Sequence, residues 1–316
     1  MKEAGGRKQK AESRVPISIC HFSLKTKNLP AAHATNKEPS FTSQEPRIKN
    51  QRPKTKPMKL LTFLILFVLV TPVLTQTLPA GRIIDLSYPF DADTVYWPTA
   101  ETFKLEKDFE GVTDKGYYYS AYRYSAAEHG GTHLDAPVHF AKGRNTVDQI
   151  PLEQLIGSGL VIDVTSKCAS NPDYLVSVED FQNWEKQNGK IAPGSIVLLR
   201  TGYGKYYPDR KKYLGTDERG AGAVAKLHFP GLHPQAARWL TQNRAIKAIG
   251  LDTASIDYGQ STLFESHRAL FEKDVPAFEN VANLDQLPLK GFSVIALPMK
   301  IKGGSGGPLR IVAIVK

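Results

Sequence analysis

Six short runs constrain this chain more than any other feature. Residues 83–88 (IIDLSY), 159–164 (GLVIDV), 195–200 (SIVLLR), 246–252 (IKAIGLD), 292–299 (FSVIALPM) and 309–315 (LRIVAIV) are apolar and rich in Val and Ile. Such runs are short for core helices, and β-branched side chains pack well on a pleated surface. Their apolar residues are consecutive rather than alternating, the pattern of strands buried on both faces. A seventh run, YYYSAYRYSAA (117–127), alternates aromatic and small residues and reads as a longer, half-exposed strand.

Helical segments separate the runs. VEDFQNWEKQN (178–188) follows Ser177, an N-cap residue type, and stops at Gly189. PQAARWLTQN (234–243) starts with Pro at the first helical position and places Ala236, Trp239 and Leu240 on one face. HRALFEKD (267–274) follows Ser266, a second N-cap candidate. From Arg82 onward there is no linker, repeat or low-complexity tract. The alternation predicts an α/β fold: one domain, residues 76–316, with a mixed central sheet.

The first 75 residues differ in kind. Residues 1–57 are polar, Lys-rich and without hydrophobic periodicity, and are expected to be a disordered leader or an upstream extension of a chain that starts at Met58. Residues 58–75 (MKLLTFLILFVLVTPVLT) carry one basic residue, an apolar run from Leu60 to Val70, then Pro72 and small residues. That is the layout of a secretory signal peptide cleaved near Thr75 or Gln76, and its apolar run is too short to span a bilayer comfortably. A secreted protein with no stable membrane span after cleavage is expected.

Charge follows the same division. The chain has 41 Lys+Arg and 31 Asp+Glu, a formal +10. Residues 1–75 hold 14 of the basic and 4 of the acidic residues, which leaves 27 of each in 76–316. A neutral mature chain carries no electrostatic footprint of nucleic-acid binding. Only Cys168 lies beyond the leader, so no intramolecular disulfide can form there, and nothing around it marks a nucleophile.

The chemistry concentrates in AEHGGTHLDAPVHF (127–140), where His129, His133, Asp135 and His139 fall within eleven positions of a chain with eight histidines. Imidazole and carboxylate are ligands for Zn²⁺, Mn²⁺ or Fe²⁺. Gly130 and Gly131 disfavour a helix and allow a tight loop, which Pro137 stiffens at its exit. A structural zinc site would lean on Cys; none is here, so an open, catalytic site is expected. Thr132 reads as a turn cap. GGSGG (303–307) matches the nucleophile-elbow pattern, but no Asp or His follows Ser305, and the segment reads as a turn between the last two strands. His228 and His233, in LHFPGLHP, are candidates for the pocket mouth.

HGGTHLDAPVHF resembles the H-x-G-T-H-x-D-x-P-x-H-F signature of the cyclase/kynurenine formamidase superfamily, which includes bacterial kynurenine formamidases and isatin hydrolases. The resemblance extends over about residues 82–316 through VYWPTA, GLDTASID (250–257), SHRALFEKDVPAFENVANL and IALPMKIKGGSGGPLR. It implies a swivelling β/β/α-type cyclase domain. It implies that His129, His133 and Asp135 hold a first metal, that His267 and Glu279 complete a second bridged by Asp135, and that His139 is the general acid/base. Trp97 is implied as a substrate-binding residue, with Phe140 or Tyr118 as further aromatic walls. Arg268 follows His267 where family members often carry a second His. Residues 206–229, longer than the family pattern, are expected to form a loop over the site. The implied activity is metal-dependent hydrolysis of an aryl formamide, N-formylkynurenine to kynurenine and formate. The alternatives are isatin-type lactam hydrolysis, or a secreted, non-catalytic metal- or ligand-binding member. The implied cofactor is Zn²⁺ or Mn²⁺, one or two ions per subunit. The implied partners are a small aromatic amide and further copies of the chain, as a dimer or tetramer.

Overall fold

The computed structural model describes residues 80–316; the expected leader and signal peptide lie outside them. Twelve strands occur among the described residues: β1 (Arg82–Asp85), β2 (Lys104–Val112), β3 (Tyr118–Ser125), β4 (His133–Asp135), β5 (Ile156–Asp163), β6 (Leu175–Val176), β7 (Ile196–Arg200), β8 (Gly231–Leu232), β9 (Ala248–Leu251), β10 (Ala277–Glu279), β11 (Lys290–Pro298) and β12 (Gly306–Val315).

Eight of them form one sheet in the order β1-β12-β11-β5-β7-β9-β10-β4. β12 pairs with β11 along Leu309–Val315, with β1 through Val312–Val315, and with β4 through Gly306–Pro308. The pairing with β4 joins the ends of the series, so seven strands close into a barrel-like ring with β1 beside it. β5, β7, β9 and β10 are mutually parallel and the other pairings antiparallel. This is the mixed sheet that the consecutive apolar runs imply.

The runs of β5, β7 and β9 are apolar throughout because both faces are buried, whereas β1, β11 and β12 bury one face and expose Ile83, Leu297 and Arg310 on the other. Val161, Ile196, Leu198, Ala248 and Phe278 join Leu134, Val294 and Ile311 in one cluster, to which every strand of the ring contributes. Their neighbours Leu160, Ile162, Val197, Leu199, Ile249 and Leu251 join a second cluster with Phe181, Ala236, Leu240, Leu270 and Phe271 of the covering helices. Each fully buried Leu or Ile is worth about 1.5–3 kcal/mol in transfer alone. Leu198→Ala, at a position with no exposure, is expected to cost about 2–5 kcal/mol, read as a lower urea midpoint at unchanged slope.

Helices cover the outer face. The Val178–Asn188 helix starts as expected, with Asp180 accepting from the Ser177 N–H and hydroxyl at 2.7 and 3.0 Å. The Pro234–Asn243 helix begins at Pro234. The third helix is Glu265–Phe271 rather than starting after Ser266. Ser266 donates its hydroxyl to Leu232 O at 2.7 Å, while Asp257, from another element, accepts the N–H groups of Ser266 and His267.

Two expectations need correction. Run 117–127 becomes β3, paired with β2 in a ribbon exposed on both faces, not half-buried; Tyr118, Tyr122 and Tyr124 are exposed. Segment 206–229 is not a plain loop. It contains short helices at Arg210–Leu214 and Ala221–Val224, and Tyr213, Leu214, Leu227 and Phe229 are fully buried. It braces residues 95–100 from behind, through Gly220 N to Pro98 O at 2.9 Å and Phe229 edge-on to Trp97. Among the described residues, no helix is long and apolar enough to cross a membrane.

Candidate metal centre

The expected site residues arrive from four pieces of backbone. His129 precedes β4; His133 and Asp135 lie on β4; Glu279 lies on β10; His267 lies on the Glu265–Phe271 helix. The signature segment is therefore partly strand, not one loop. β4 is held between two strands, with His133 opposite Glu279 on β10 and opposite Pro308 on β12. Leu134, between the ligands, turns to the ring's inner cluster, so the two-residue period of a strand puts His133 and Asp135 on the outer face. Phe278 does the same for Glu279.

The two glycines permit this path. Gly131 has φ +55°, where other residues are strained. Gly130 lies flat against the Tyr96 ring, which a Cβ would enter. Thr132, completely buried, does more than cap a turn: it donates to Asn280 O at 2.7 Å and accepts from Tyr88 N at 2.9 Å, tying β4 to both flanks.

The ligand atoms converge. His129 Nδ1 lies 2.6 Å from Asp135 Oδ1. His133 Nε2 lies 3.0 Å from Asp135 Oδ1 and 3.4 Å from Glu279 Oε2. His267 Nε2 lies 3.1 Å from both Asp135 Oδ2 and Glu279 Oε1. Two overlapping groups share Asp135: His133, Asp135 and Glu279 on one side, and His129, Asp135 and His139 on the other. His139 thus stands among potential ligands, its ring stacked on His129 at 3.8 Å.

Buried charge is balanced by proximity. Burial works against ionised His133, but Asp135 and Glu279 beside it pull its pKa up to about 9. Burial works against ionised Asp135 too, and His129 and His133 hold it well below the usual carboxylate range. Glu279 is pushed up, by burial first and then by Asp135. His139 is driven to about 4, mainly by burial and by the neighbouring imidazoles, against the pull of Asp135.

One observation tests whether this cluster fits a cation. His133 Nδ1 bonds Gly131 O at 2.9 Å, yet its buried Nε2 has no hydrogen-bond partner and faces two carboxylates. An unpaired buried nitrogen of this kind is costly, and a lone pair among carboxylate oxygens is a cation ligand set. Asp257 supplies the outer support: it lies 2.6 Å from His267 Nδ1 and accepts the His267 N–H at 3.1 Å. Such carboxylate–imidazole pairs fix which nitrogen is offered to a metal.

The cluster forms the floor of a cavity of about 290 Å³. Val95, Trp97, Ala100, Phe140, Ala254 and Phe264 wall it. Trp97 and Phe140 thus stand where expected. Tyr118 does not, being on the exposed ribbon. His228 and His233 are not at the mouth either: His228 pairs with Asp173 at 2.8 Å, and His233 accepts from Gln235 N at 3.0 Å as a helix cap. Asp257, Asn280, Glu128 and Ser305 were given no role from sequence. All four lie within the motif segments named above, but nothing in the sequence distinguished them there; Asn280 donates to Gly131 O at 2.7 Å.

A closed mixed sheet with a His/Asp/Glu cluster at one strand seam defines a class, and the comparisons agree with it. The profile of the family described as "Putative cyclase" matches residues 84–258; the chain belongs to that family. The isatin hydrolase of Roseibium aggregatum is 31% identical over 245 residues, covering 71% of this chain and 90% of that protein. A kynurenine formamidase of Bacillus cereus is 28% identical, covering 72% and 95%. Among solved structures, isatin hydrolase A from Labrenzia aggregata bound to benzyl benzoate superposes with a TM-score of 0.67 at 33% identity, covering 74% of this chain and 93% of that one. These relatives are hydrolases of amide C–N bonds.

Proposed function

We propose that the protein hydrolyses the C–N bond of a small aryl amide with a divalent cation, Zn²⁺ or Mn²⁺, held by His129, His133, Asp135, His267 and Glu279. The observation that carries this is the buried, unpartnered His133 Nε2 facing two carboxylates at the floor of an apolar cavity. Asp135 is shared by both ligand groups, so one ion or a bridged pair fits the donor set. A divalent ion there supplies Lewis acidity, polarising a carbonyl and lowering the pKa of water from 15.7 to about 7.

The chain's own residues do the rest. Trp97, Phe140 and Phe264 hold the aryl ring by apolar contact and keep water from it. His139, neutral at neutral pH, takes a proton from the attacking water and returns it to the leaving nitrogen. Asp257 holds His267, and Gly131 O holds His133, so that neither imidazole must reorganise during the reaction.

N-formylkynurenine is the substrate that the sequence suggests. A second reading, isatin-type lactam hydrolysis, has its own support. No Lys or Arg lines the cavity among the described residues, so the α-carboxylate of N-formylkynurenine meets no cationic partner, whereas a neutral lactam needs none. The higher identity to isatin hydrolase points the same way. The test is kcat/KM for N-formylkynurenine and for isatin with Zn²⁺ or Mn²⁺ supplied. A higher value for isatin favours the lactam reading, and the reverse favours the formamide. Absence of turnover with both, on protein shown to carry metal, overturns both and leaves a secreted binding protein. Trp97→Ala is expected to raise KM for the preferred substrate about 10-fold or more, through loss of roughly 1.5 kcal/mol of aromatic contact.

A further inference from the structure

A polar cluster behind His129 is used neither by the cavity nor by the ligand set. Ser305 Oγ lies 2.9 Å from His129 Nε2 and donates to Glu128 Oε2 at 2.6 Å. The same Glu128 oxygen accepts the Ser305 backbone N–H at 3.0 Å. On the far side of the ring, His129 Nδ1 lies 2.6 Å from Asp135 Oδ1. Serine, imidazole and carboxylate thus stand in the order of a hydrolytic triad, and the chain order His129…Asp135…Ser305 is one that such triads use. A nucleophilic role does not fit. Ser305 does not line the cavity, and its hydroxyl hydrogen points to Glu128, not to the imidazole.

We propose instead that Glu128 and Ser305 are positioning residues that fix the tautomer of His129 and present its Nδ1 to the metal. This rests on the metal reading above. A hydroxyl has a single hydrogen, and an ionised carboxylate only accepts. With that hydrogen given to Glu128, Ser305 meets His129 with a lone pair, so His129 Nε2 carries the N–H. Nδ1 is then bare and faces an Asp135 oxygen, two lone pairs converging as ligands of one cation do. The backbone holds the arrangement in place. Ser305 O accepts from Ala136 N at 2.8 Å, which ties residue 305 to the end of β4. A Cβ on Gly306 would strike the His129 ring and Leu134 O, so glycine there lets β12 approach the ligand.

The test uses the full chain labelled with ¹⁵N-histidine. In Zn²⁺-loaded wild type, long-range ¹H–¹⁵N correlations are expected to show His129 protonated at Nε2 and not at Nδ1. Ser305→Ala is expected to lose that tautomer preference and to bind Zn²⁺ about 10- to 100-fold more weakly in competition with a chelator, the range for losing such a support. Ser305→Thr, which keeps the hydroxyl, is expected to restore both readouts. If Ser305→Ala does not fold, Glu128→Gln provides the affinity readout, and the wild-type spectrum needs no variant. A wild type that binds Zn²⁺ but carries its His129 proton on Nδ1 overturns the relay alone, as does Ser305→Ala with wild-type affinity. A wild type that takes up no Zn²⁺ overturns the metal reading and the relay with it.

Discussion

His139→Ala is expected to lower kcat by about 10²- to 10⁴-fold, the usual worth of a positioned general acid/base, while leaving bound metal and the melting temperature nearly unchanged. The expectation separates two roles that the geometry places side by side. His139 lies close enough to His129 and Asp135 to complete a three-ligand group. Its ring stacks on His129 and lines the cavity, where a proton carrier has to be. Burial and the neighbouring imidazoles keep it neutral at neutral pH, the form that can take a proton. Metal analysis beside the rate measurement decides the matter. If metal and activity disappear together, His139 is a ligand and the proton carrier must be sought elsewhere.

Asp135→Ala is expected to abolish metal binding and turnover together and to destabilise the fold by about 3–5 kcal/mol, the range for breaking a buried ion pair from one side. It links three of the site's imidazoles: its two oxygens reach His129, His133 and His267. Removing it leaves His133 and His267 facing Glu279 alone and His129 without its carboxylate partner. Chelation of the wild type is expected to lower its melting temperature, because an ion that binds only the folded state stabilises it by mass action, and to leave that of Asp135→Ala unmoved. An equal shift in both proteins would place the stabilising ion somewhere other than this cluster.

Much of this was legible in the sequence, for identifiable reasons. The runs at 159–164 and 195–200 announced themselves because strands buried on both faces need no polar residue. The density of His129, His133, Asp135 and His139 announced the site because four ligand-type side chains in so short a span are rare by chance. β4 and β10 were not legible. Three residues each, they have no periodicity to detect, and in both the outward positions are spent on ligands or small residues. The run that became β3 showed alternation, but alternation says nothing of what covers either face, and its partner β2 was not foreseen. Ser305 acts on His129 across 176 positions and Asp257 on His267 across 10, and in neither case does a sequence period connect the two residues. Residues 206–229 looked like a loop because their charges and glycines obscure Tyr213 and Phe229, which do the packing.

The cross-strand placement of His133 against Glu279 has a consequence for assembly. Strand side chains repeat every two residues, so slipping β4 by one position against β10 would send His133 and Asp135 inward and bring Leu134 out. β4 is only three residues long, and so short a strand has little hydrogen bonding of its own to specify alignment. An ion that requires His133, Asp135 and Glu279 together binds one alignment and rejects its neighbours. A bound ion would thereby make the centre a gauge of correct closure, rewarding the barrel for sealing at this seam only in the register that brings these side chains together.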